Sequence, residues 1–430
     1  MQAETVTDAS AESPRQARSV TANFAWMTGG TLGNRFAKFV LFYLLARYMG
    51  AGAFGELTYA YAAVVLASAV ADFGVSLAAP PRIALARAVD QQRRVCGGYF
   101  AWKLVLGALV VLGWLGWAGM QGAGRVRLLL LLFTPCVVLN ELTLEWLFRG
   151  RGELRPVGIA KLAAGGVLVG LGLLLGASEA SRHLVPLAFV TAGVVLVSLQ
   201  AAAASRWGIW RGLQLSIHAV QGGLGRVSRY GVSMIVNRAY SHSALLLVAW
   251  VLGMQAAGRF KLLHMPFILV LACGKWMADS VVARFARAMQ RGGSESRAVL
   301  LRCGRRLLLL SVAAACAMAS VGPWALHRFF PDYGSFWGVG AALGAVLPVA
   351  TLTLFLRELL PALGKPDTYL AVTCTMVAVQ VCVIVVAAAG LGLLAVPLAY
   401  GAAELAALAI LVPAYAAALR RRGGAPETSG

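Results

Sequence analysis

Apolar segments about 20 residues long alternate with short polar segments from position 25 almost to the end of the chain. A helix needs about 20 apolar residues to cross the hydrocarbon layer of a bilayer. The pattern therefore predicts an all-α polytopic membrane protein with twelve transmembrane helices, six on each side of a polar linker. The predicted spans are 25–47, 56–78, 99–119, 128–148, 156–176, 184–205, 228–252, 260–282, 306–327, 336–357, 369–390 and 396–418.

The polar segments divide the chain into five predicted parts. A tail precedes the first span, a linker separates the two sets of helices, and a second tail follows the last span. Six spans in each half, both starting on the same side of the membrane, predict two six-helix bundles related by a pseudo-two-fold axis along the membrane normal. The parts are the tail 1–22, the N-terminal bundle 23–205, the linker 206–227, the C-terminal bundle 228–418 and the tail 419–430.

The composition supports the membrane class and gives an orientation. Hydrophobic residues make up 60% of the chain, charged residues make up 13%, and the mean hydropathy is +0.75. The net charge of +21 could suggest nucleic acid, but 24 of the 38 cations lie in the tails and in alternate loops, against six in the opposite loops. The positive-inside rule then predicts that both termini face the cytoplasm, and we expect no nucleic-acid partner.

The sequence shows neither the residue spacing of a metal site nor a motif for nucleotide hydrolysis. The seven cysteines lie mostly inside apolar segments, which predicts free thiols. The five histidines are scattered without the spacing of a metal site. The sequence contains no Gly-x-x-x-x-Gly-Lys-Ser/Thr phosphate loop. We therefore expect no metal, no cofactor and no ATP hydrolysis by this chain.

Two cations lie near the middle of the first apolar segment. Arg35 and Lys38 are three positions apart, so both lie on one face of the predicted helix. An ionisable residue at this depth is a candidate functional site, because it needs protein, water or an opposite charge beside it. An internal salt bridge and snorkelling are the alternatives. We expect this face to line a central, hydrated cavity that attracts anions. Lys103 and Lys161, by contrast, lie near helix ends, where snorkelling explains them.

The first hairpin of each half carries matching residues, which predicts an internal duplication. Each hairpin has a Gly-x-x-x-x-Gly loop after a helix with a deep arginine, and we expect a vestibule between the halves to receive both arginines. The asparagine before each arginine either offers hydrogen bonds beside the cations of the substrate site or makes a contact between helices. Lys275 joins this candidate substrate site. The matching positions, 203 residues apart, are Asn34 and Asn237, Arg35 and Arg238, Gly50 and Gly253, and Gly55 and Gly258.

Asp72, Glu141 and Glu145 lie inside predicted spans of the first half. Asp72 lies at a depth similar to that of Arg35, so we expect either a structural ion pair with Arg35 or a gate that opens when the pair breaks. Glu145 lies one turn from Arg149, which predicts an ion pair within the helix. Glu141 lies deeper and is the candidate for a gate or for proton linkage.

Two carboxylates in the second half complete the candidate set for gating or ion coupling. Lys275 and Asp279 are four positions apart, so they can neutralise each other, with a role for Asp279 in gating or ion coupling as the alternative. Glu404 has no partner on its own predicted helix. It is either a protonated carboxyl without a role or a site of proton coupling.

Two stretches of the first half resemble a known family. Residues 46–57 read ARYMGAGAFGEL and are followed by ADFGV at 71–75 and by Arg82. Residues 145–150 read EWLFRG and are followed by ELR at 153–155 and by Lys161. These motifs resemble the polysaccharide-transporter branch of the multidrug/oligosaccharidyl-lipid/polysaccharide exporter superfamily, the Wzx-type flippases. The second half lacks a counterpart of the Asp-Phe-Gly motif.

The resemblance implies a transporter, not an enzyme, that works by alternating access in the bacterial cytoplasmic membrane. Its implied substrate is an undecaprenyl-diphosphate-linked oligosaccharide, moved from the inner to the outer leaflet for O-antigen, capsule or exopolysaccharide synthesis. Polysaccharide polymerase or glycosyltransferases are implied partners. The chemistry of the residues agrees, because arginine makes bidentate contacts to phosphate and an unpaired charge is strongly disfavoured in a bare bilayer.

Alternative functions predict other features. A cation or drug antiporter of the same superfamily needs a cavity dominated by carboxylates, whereas the first helix offers two cations. A membrane polysaccharide polymerase or ligase needs larger outward loops than the predicted ones. A peptidoglycan-precursor flippase of the same superfamily has two more spans than the twelve predicted here.

Overall fold

The structure is a computed structural model that describes residues 14–86, 88–208, 224–291, 293–333, 337–363 and 365–423. The described residues form α-helices joined by short turns and single 3₁₀ turns, so the all-α prediction is confirmed. The helices are α1 (Pro14–Asp72), α2 (Val75–Leu85), α3 (Val89–Met120), α4 (Arg125–Glu141), α5 (Glu145–Arg151), α6 (Arg155–Ala177), α7 (Val185–Ser205), α8 (Leu224–Leu252), α9 (Met254–Arg291), α10 (Gly293–Phe329), α11 (Trp337–Leu359), α12 (Pro366–Leu391) and α13 (Ala395–Gly423).

Within the described residues, eight helical segments are long and apolar enough to cross a membrane. This confirms a multi-span membrane protein, while the number of twelve spans stays a prediction. The segments are Ala25–Leu85, Asp90–Met120, Arg125–Arg151, Arg155–Ala177, Arg182–Ser205, Gly231–Leu252, Gly338–Leu359 and Asp367–Ala418.

Glycines with positive φ interrupt the first hairpin of each half. Gly50 breaks α1 with φ 73°, and Gly253 separates α8 from α9 with φ 86°. Glycine adopts this left-handed region at little cost because it has no Cβ. A third break ends α1 at Asp72, where Phe73 and Gly74 have φ of 35° and 83° before α2 begins. This is the Asp-Phe-Gly motif of the sequence.

Two glycines let the hairpins approach to backbone contact. A Cβ added at Gly55 would overlap the carbonyl oxygen of Met254, and one at Gly258 would overlap the carbonyl oxygen of Ala51. Gly55 and Gly258 are 203 residues apart, and so are Ala51 and Met254. The contact is therefore reciprocal, with each half giving a glycine and a carbonyl.

The helices pack into two compact units, each described here by itself. The predicted division at the linker stays a prediction, because positions 209–223 lie outside the described residues. Unit 1 consists of Met1–Phe42, Val70–Met120 and Leu131–Gly231, and unit 2 consists of Tyr43–Ala69, Gln121–Leu130 and Val232–Gly430.

Each unit has its own apolar core. In unit 1, α2, α3 and α5 meet around Tyr99, Trp146 and Phe148, all fully buried. In unit 2 the core includes Phe267 of α9 and Phe355 of α11, together with residues of α8, α12 and α13. Buried apolar area stabilises both cores, which hold the charged side chains described next.

Candidate functional site

A lysine and two carboxylates from three elements form a buried cluster in unit 1, called here the unit 1 triad. Lys103 Nζ of α3 lies 3.0 Å from Asp72 Oδ1 at the end of α1 and 3.6 Å from Glu141 Oε2 at the end of α4. Their side chains are only 2%, 10% and 5% exposed. Buried charges need paired partners, so the predicted snorkelling of Lys103 is wrong. Asp72 is paired with Lys103, where the sequence favoured Arg35.

Asp72 also caps α2. The Ser76 hydroxyl donates to Asp72 Oδ1 at 2.7 Å, and the Ser76 backbone N–H donates to Asp72 Oδ2 at 3.2 Å. Side-chain oxygens at this position satisfy backbone donors that the first turn of a helix leaves unpaired. The Phe73-Gly74 break therefore places one carboxylate where it serves both α2 and Lys103.

The unit 1 triad contains two carboxylates and one ammonium group. Asp72 accepts from both Lys103 and Ser76, whereas Glu141 Oε2 has no hydrogen-bond donor within the described part of the chain. A buried carboxylate oxygen without a donor is costly while the group is charged. Glu141 is therefore less fully hydrogen-bonded than Asp72, whose two oxygens both accept from Ser76.

A second ionic cluster in unit 1 joins α1, α5 and α6. Lys161 Nζ lies 2.7 Å from Glu145 Oε2 and donates to Thr31 Oγ1 at 3.1 Å. Glu145 also forms the predicted ion pair with Arg149. The predicted snorkelling of Lys161 is wrong, because its side chain is 14% exposed and is turned to protein partners.

The candidate cations of the first helix lie beside this second cluster. Arg35 is exposed and Lys38 is partly buried on α1. Arg35 interacts electrostatically with Lys161, and Asn34 Nδ2 donates to the Lys161 carbonyl at 3.0 Å. The structure thus brings Asn34, Arg35 and Lys161 together, and it gives Asn34 the contact between helices that the sequence left as one alternative.

In unit 2, the candidate residues lie around an arginine at the last position of a predicted span. Arg357 of α11 is only 4% exposed, donates to Asn237 Oδ1 at 3.4 Å and lies 3.9 Å from Glu358. Arg238, the neighbour of Asn237 on α8, is exposed. The predicted span ends at 357, but α11 continues to Leu359, and this places Arg357 inside the helix.

Lys275 has a partner on another helix. Its Nζ lies 2.7 Å from Glu358 Oε2, and 39% of its side chain is exposed. The sequence favoured Asp279 as this partner, and the Asp279 side chain lies outside the described residues. Lys275, Glu358 and Arg357 together are called here the unit 2 triad. The apolar residues on both sides of Arg357-Glu358 were the signal that could have found it.

Glu404 belongs to a separate buried network in unit 2. Tyr240 Oη of α8 donates to Glu404 Oε1 of α13 at 2.6 Å, so the carboxyl has a partner across helices. Tyr400 Oη is 3.0 Å from His264 Nε2, and the His264 ring stacks against Phe260 and Phe267. Sequence reasoning missed His264, whose only signal was a lone histidine in an apolar helix.

Solved membrane transporters share the fold. An inward-facing multidrug resistance MATE transporter of the MOP superfamily has a TM-score of 0.69 at 14% identity, covering 91% of this chain and 96% of that chain. The lipid II flippase MurJ, in an inward closed conformation, has a TM-score of 0.75 at 11% identity, covering 92% of this chain and 89% of that chain. At such low identity the likeness shows the fold alone.

One more solved structure shares the fold, and a family model matches the sequence. A eukaryotic MATE transporter, at 11% identity and a TM-score of 0.66, covers 95% of this chain and 98% of that chain. The comparison with curated proteins finds no match. A family model described as a polysaccharide biosynthesis protein matches residues 20–273, which is more than half of the chain. The chain therefore belongs to the polysaccharide biosynthesis protein family, and it has the fold of MOP-superfamily transporters.

Proposed function

We propose that this protein is a flippase that moves an undecaprenyl-diphosphate-linked oligosaccharide from the inner to the outer leaflet of the bacterial cytoplasmic membrane. The observation that carries the proposal is the exposed Arg35 near the middle of the predicted span 25–47, in a chain of the polysaccharide biosynthesis family. An exposed guanidinium at this depth suits an anionic group in transit, because it replaces part of the hydration that the group loses.

The residues proposed to bind the substrate come from both halves of the sequence. Unit 1 gives Arg35 and Lys38, with Asn34 beside them, and unit 2 gives Arg238, Asn237 and Lys275. Arginine suits the diphosphate, because its planar fork makes two parallel hydrogen bonds to phosphate oxygens. The name of MurJ, a lipid II flippase, supports a lipid-linked glycan as cargo, while the names of the MATE transporters support drugs. The cations among the proposed binding residues favour the lipid-linked glycan over drugs.

The proposed architecture has twelve spans in two six-helix bundles related by a pseudo-two-fold axis. Two of the eight segments, with 61 and 52 residues, are each long enough for two crossings. Helices α9 and α10 add 38 and 37 residues. The positive-φ pair Gly50 and Gly253 and the reciprocal contact of Gly55 with Gly258 support the duplication. Both termini face the cytoplasm in this proposal, since the cations of the loops favour it.

Ion coupling or gating is the proposed role of the buried carboxylates. Glu141 takes up a proton when the unit 1 triad rearranges, and Asp72 releases Lys103 in the same step. Glu404 serves as a second proton site through Tyr240, and Asp279 is the fourth candidate. Alternating access then needs no nucleotide, and the proposed partners are the lipid-linked substrate and the polymerase or glycosyltransferases that act before and after the transport step.

Complementation of a bacterial strain that lacks its polysaccharide flippase tests the proposal. We expect the wild-type chain to restore surface polysaccharide, Arg35→Ala and Arg238→Ala to reduce it at least tenfold, and Arg35→Lys to retain part of it. Arg127→Ala is the matched control, because Arg127 is also an exposed arginine but lies in the first turn of α4. Full rescue by both alanine variants would remove the proposed site, and no rescue by wild type at normal membrane levels would contradict the function.

A further inference from the structure

A groove of about 530 Å³ opens in unit 1 between the first turns of α6 and the last turns of α7. Its walls are apolar, with Ile159 from α6 and Leu199 and Ala203 from α7. Its polar rim is made by Glu153, Arg155 and Arg206. None of these residues belongs to the proposed transport site, so the groove needs a separate explanation.

The rim has one more cation than anions. Arg206 Nη2 lies 2.6 Å from Glu153 Oε2, so this pair is neutral as a whole. The Arg155 guanidinium lies 5.6 Å from the centre of the Trp26 ring, and within the described residues no carboxylate pairs with it. The Arg206 guanidinium lies over the ring of Trp207 at 5.6 Å. The rim therefore presents two oriented guanidinium groups with one surplus positive charge.

The groove lies at a boundary of the membrane. One membrane-spanning segment begins at Arg155 and another ends at Ser205, so the rim is at the headgroup level and the apolar walls extend toward the hydrocarbon. Trp26 and Trp207 flank the rim, as tryptophan commonly does at the interface. An occupant must therefore be amphiphilic, with an anionic head against the arginines and an apolar chain along the walls.

We propose that this groove binds the phosphodiester headgroup of an anionic membrane phospholipid. A phosphodiester carries a single negative charge, which matches the single surplus charge of the rim. A lipid diphosphate carries at least two, and Glu153 would repel the second. Arg155 and Arg206 hold the phosphate between them, and basic pockets between membrane helices are typical sites for anionic lipid heads. One acyl chain lies against Ile159 and Leu199.

Lipid titration of the purified, delipidated full-length protein tests the proposal, with bound lipids counted by native mass spectrometry. The probes are phosphatidylglycerol, phosphatidylcholine and farnesyl diphosphate. We expect the first phosphatidylglycerol to bind more tightly than phosphatidylcholine. The Arg155→Gln/Arg206→Gln variant should weaken phosphatidylglycerol binding roughly 25-fold, at about fivefold for each arginine. Binding of phosphatidylcholine should not change.

Two further variants separate the groove from general electrostatics and from misfolding. Arg125→Gln/Arg182→Gln removes the same charge from two arginines outside the groove, which face Glu56 and Glu179, and this variant should bind phosphatidylglycerol like wild type. Ala203→Trp fills the groove without changing its charge, and should weaken phosphatidylglycerol binding at least tenfold.

Three outcomes would overturn the proposal. They are equal binding of phosphatidylglycerol by wild type and by the Arg155→Gln/Arg206→Gln variant, equal binding of phosphatidylcholine and phosphatidylglycerol, and displacement of phosphatidylglycerol by an equimolar amount of farnesyl diphosphate. The last would assign the groove to diphosphate lipids. Every readout is independent of transport, so failure here leaves the proposed flippase untouched.

Discussion

The two charged triads differ in their make-up although each includes a residue at a matching position of the two halves. Asp72 and Lys275 are 203 residues apart, the same spacing as the other repeated residues. In unit 1, Asp72 and Glu141 both lie beside the cation Lys103. In unit 2, Lys275 and Arg357 both lie beside the carboxylate Glu358. Two of the three members are carboxylates in the unit 1 triad, and two of the three are cations in the unit 2 triad.

Burial separates the two clusters further. Every side chain of the unit 1 triad is at most 10% exposed, while Lys275 of the unit 2 triad is 39% exposed. An enclosed carboxylate suits the uptake of a proton, whereas an accessible cation suits an anionic ligand. The difference teaches that two positions 203 residues apart can carry opposite charges in surroundings of different burial.

The largest expected effect comes from removing the central cation of the unit 1 triad. Lys103→Met leaves two carboxylates facing each other in a dry site, and this should lower the free energy of unfolding by about 3–5 kcal/mol. Thermal melting of the purified protein in detergent measures this loss of stability. Lys275→Met is the matched control, and its loss should be about 1 kcal/mol or less, because the Lys275 side chain is 39% exposed and Glu358 keeps Arg357 beside it. Equal losses of stability in Lys103→Met and Lys275→Met would contradict the difference in burial between the two triads.

Neutralising the whole unit 1 triad should separate stability from transport. The variant Asp72→Asn/Lys103→Met/Glu141→Gln has no buried charge left at this site, so its melting temperature should return close to that of wild type. Surface polysaccharide in the complementation assay should stay low, since no carboxylate remains to take up a proton. Recovery of transport together with stability would show that the triad only supports the fold.

Alanine at the reciprocal glycines should have the next largest effect, and it should be equal in the two halves. Gly55→Ala and Gly258→Ala each force a methyl group into the backbone of the other hairpin, at a cost of about 1–3 kcal/mol. Melting temperatures measure both. Gly52→Ala is the control, because a Cβ there meets nothing within 4 Å and alanine favours the helix. A clear inequality between Gly55→Ala and Gly258→Ala would argue against a symmetric contact.

The smallest expected effect is that of Arg357→Gln in unit 2. Glu358 keeps Lys275 as its partner, so the change should cost about 1–2 kcal/mol, mainly from the lost hydrogen bond to Asn237. The melting temperature of the purified Arg357→Gln variant measures this loss of stability. A loss as large as that of Lys103→Met would show that the unit 2 triad depends on Arg357 as unit 1 depends on Lys103.

Local features were predictable from the sequence, and partners across helices were not. Apolar runs predicted the helical spans, and the glycine motifs predicted the breaks at Gly50 and Gly253, because span length and positive φ depend on neighbouring residues. The pair of Glu145 with Arg149 was also predictable, since both lie on one helix.

Two of the errors concern contacts made by packing, and one concerns the position of a helix end. The carboxylate of Asp72 lies 31 positions before Lys103, and the sequence contains nothing that fixes how two helices turn toward each other. Lys161 was misassigned for the same reason. Arg357 was missed because the predicted span stopped short of Leu359, and a shift of two residues is the usual uncertainty of a helix end.

The reciprocal contact of Gly55 with Gly258 ties the evolutionary histories of the two halves together. Positions 72 and 275 have the same spacing and carry opposite charges, so equal spacing alone does not keep two residues alike. Here each hairpin occupies the space that a side chain on the other would need, so neither glycine can be replaced while the other hairpin stays in place. Among relatives of this protein, both glycines should persist even where the surrounding sequence of the two halves has diverged beyond recognition.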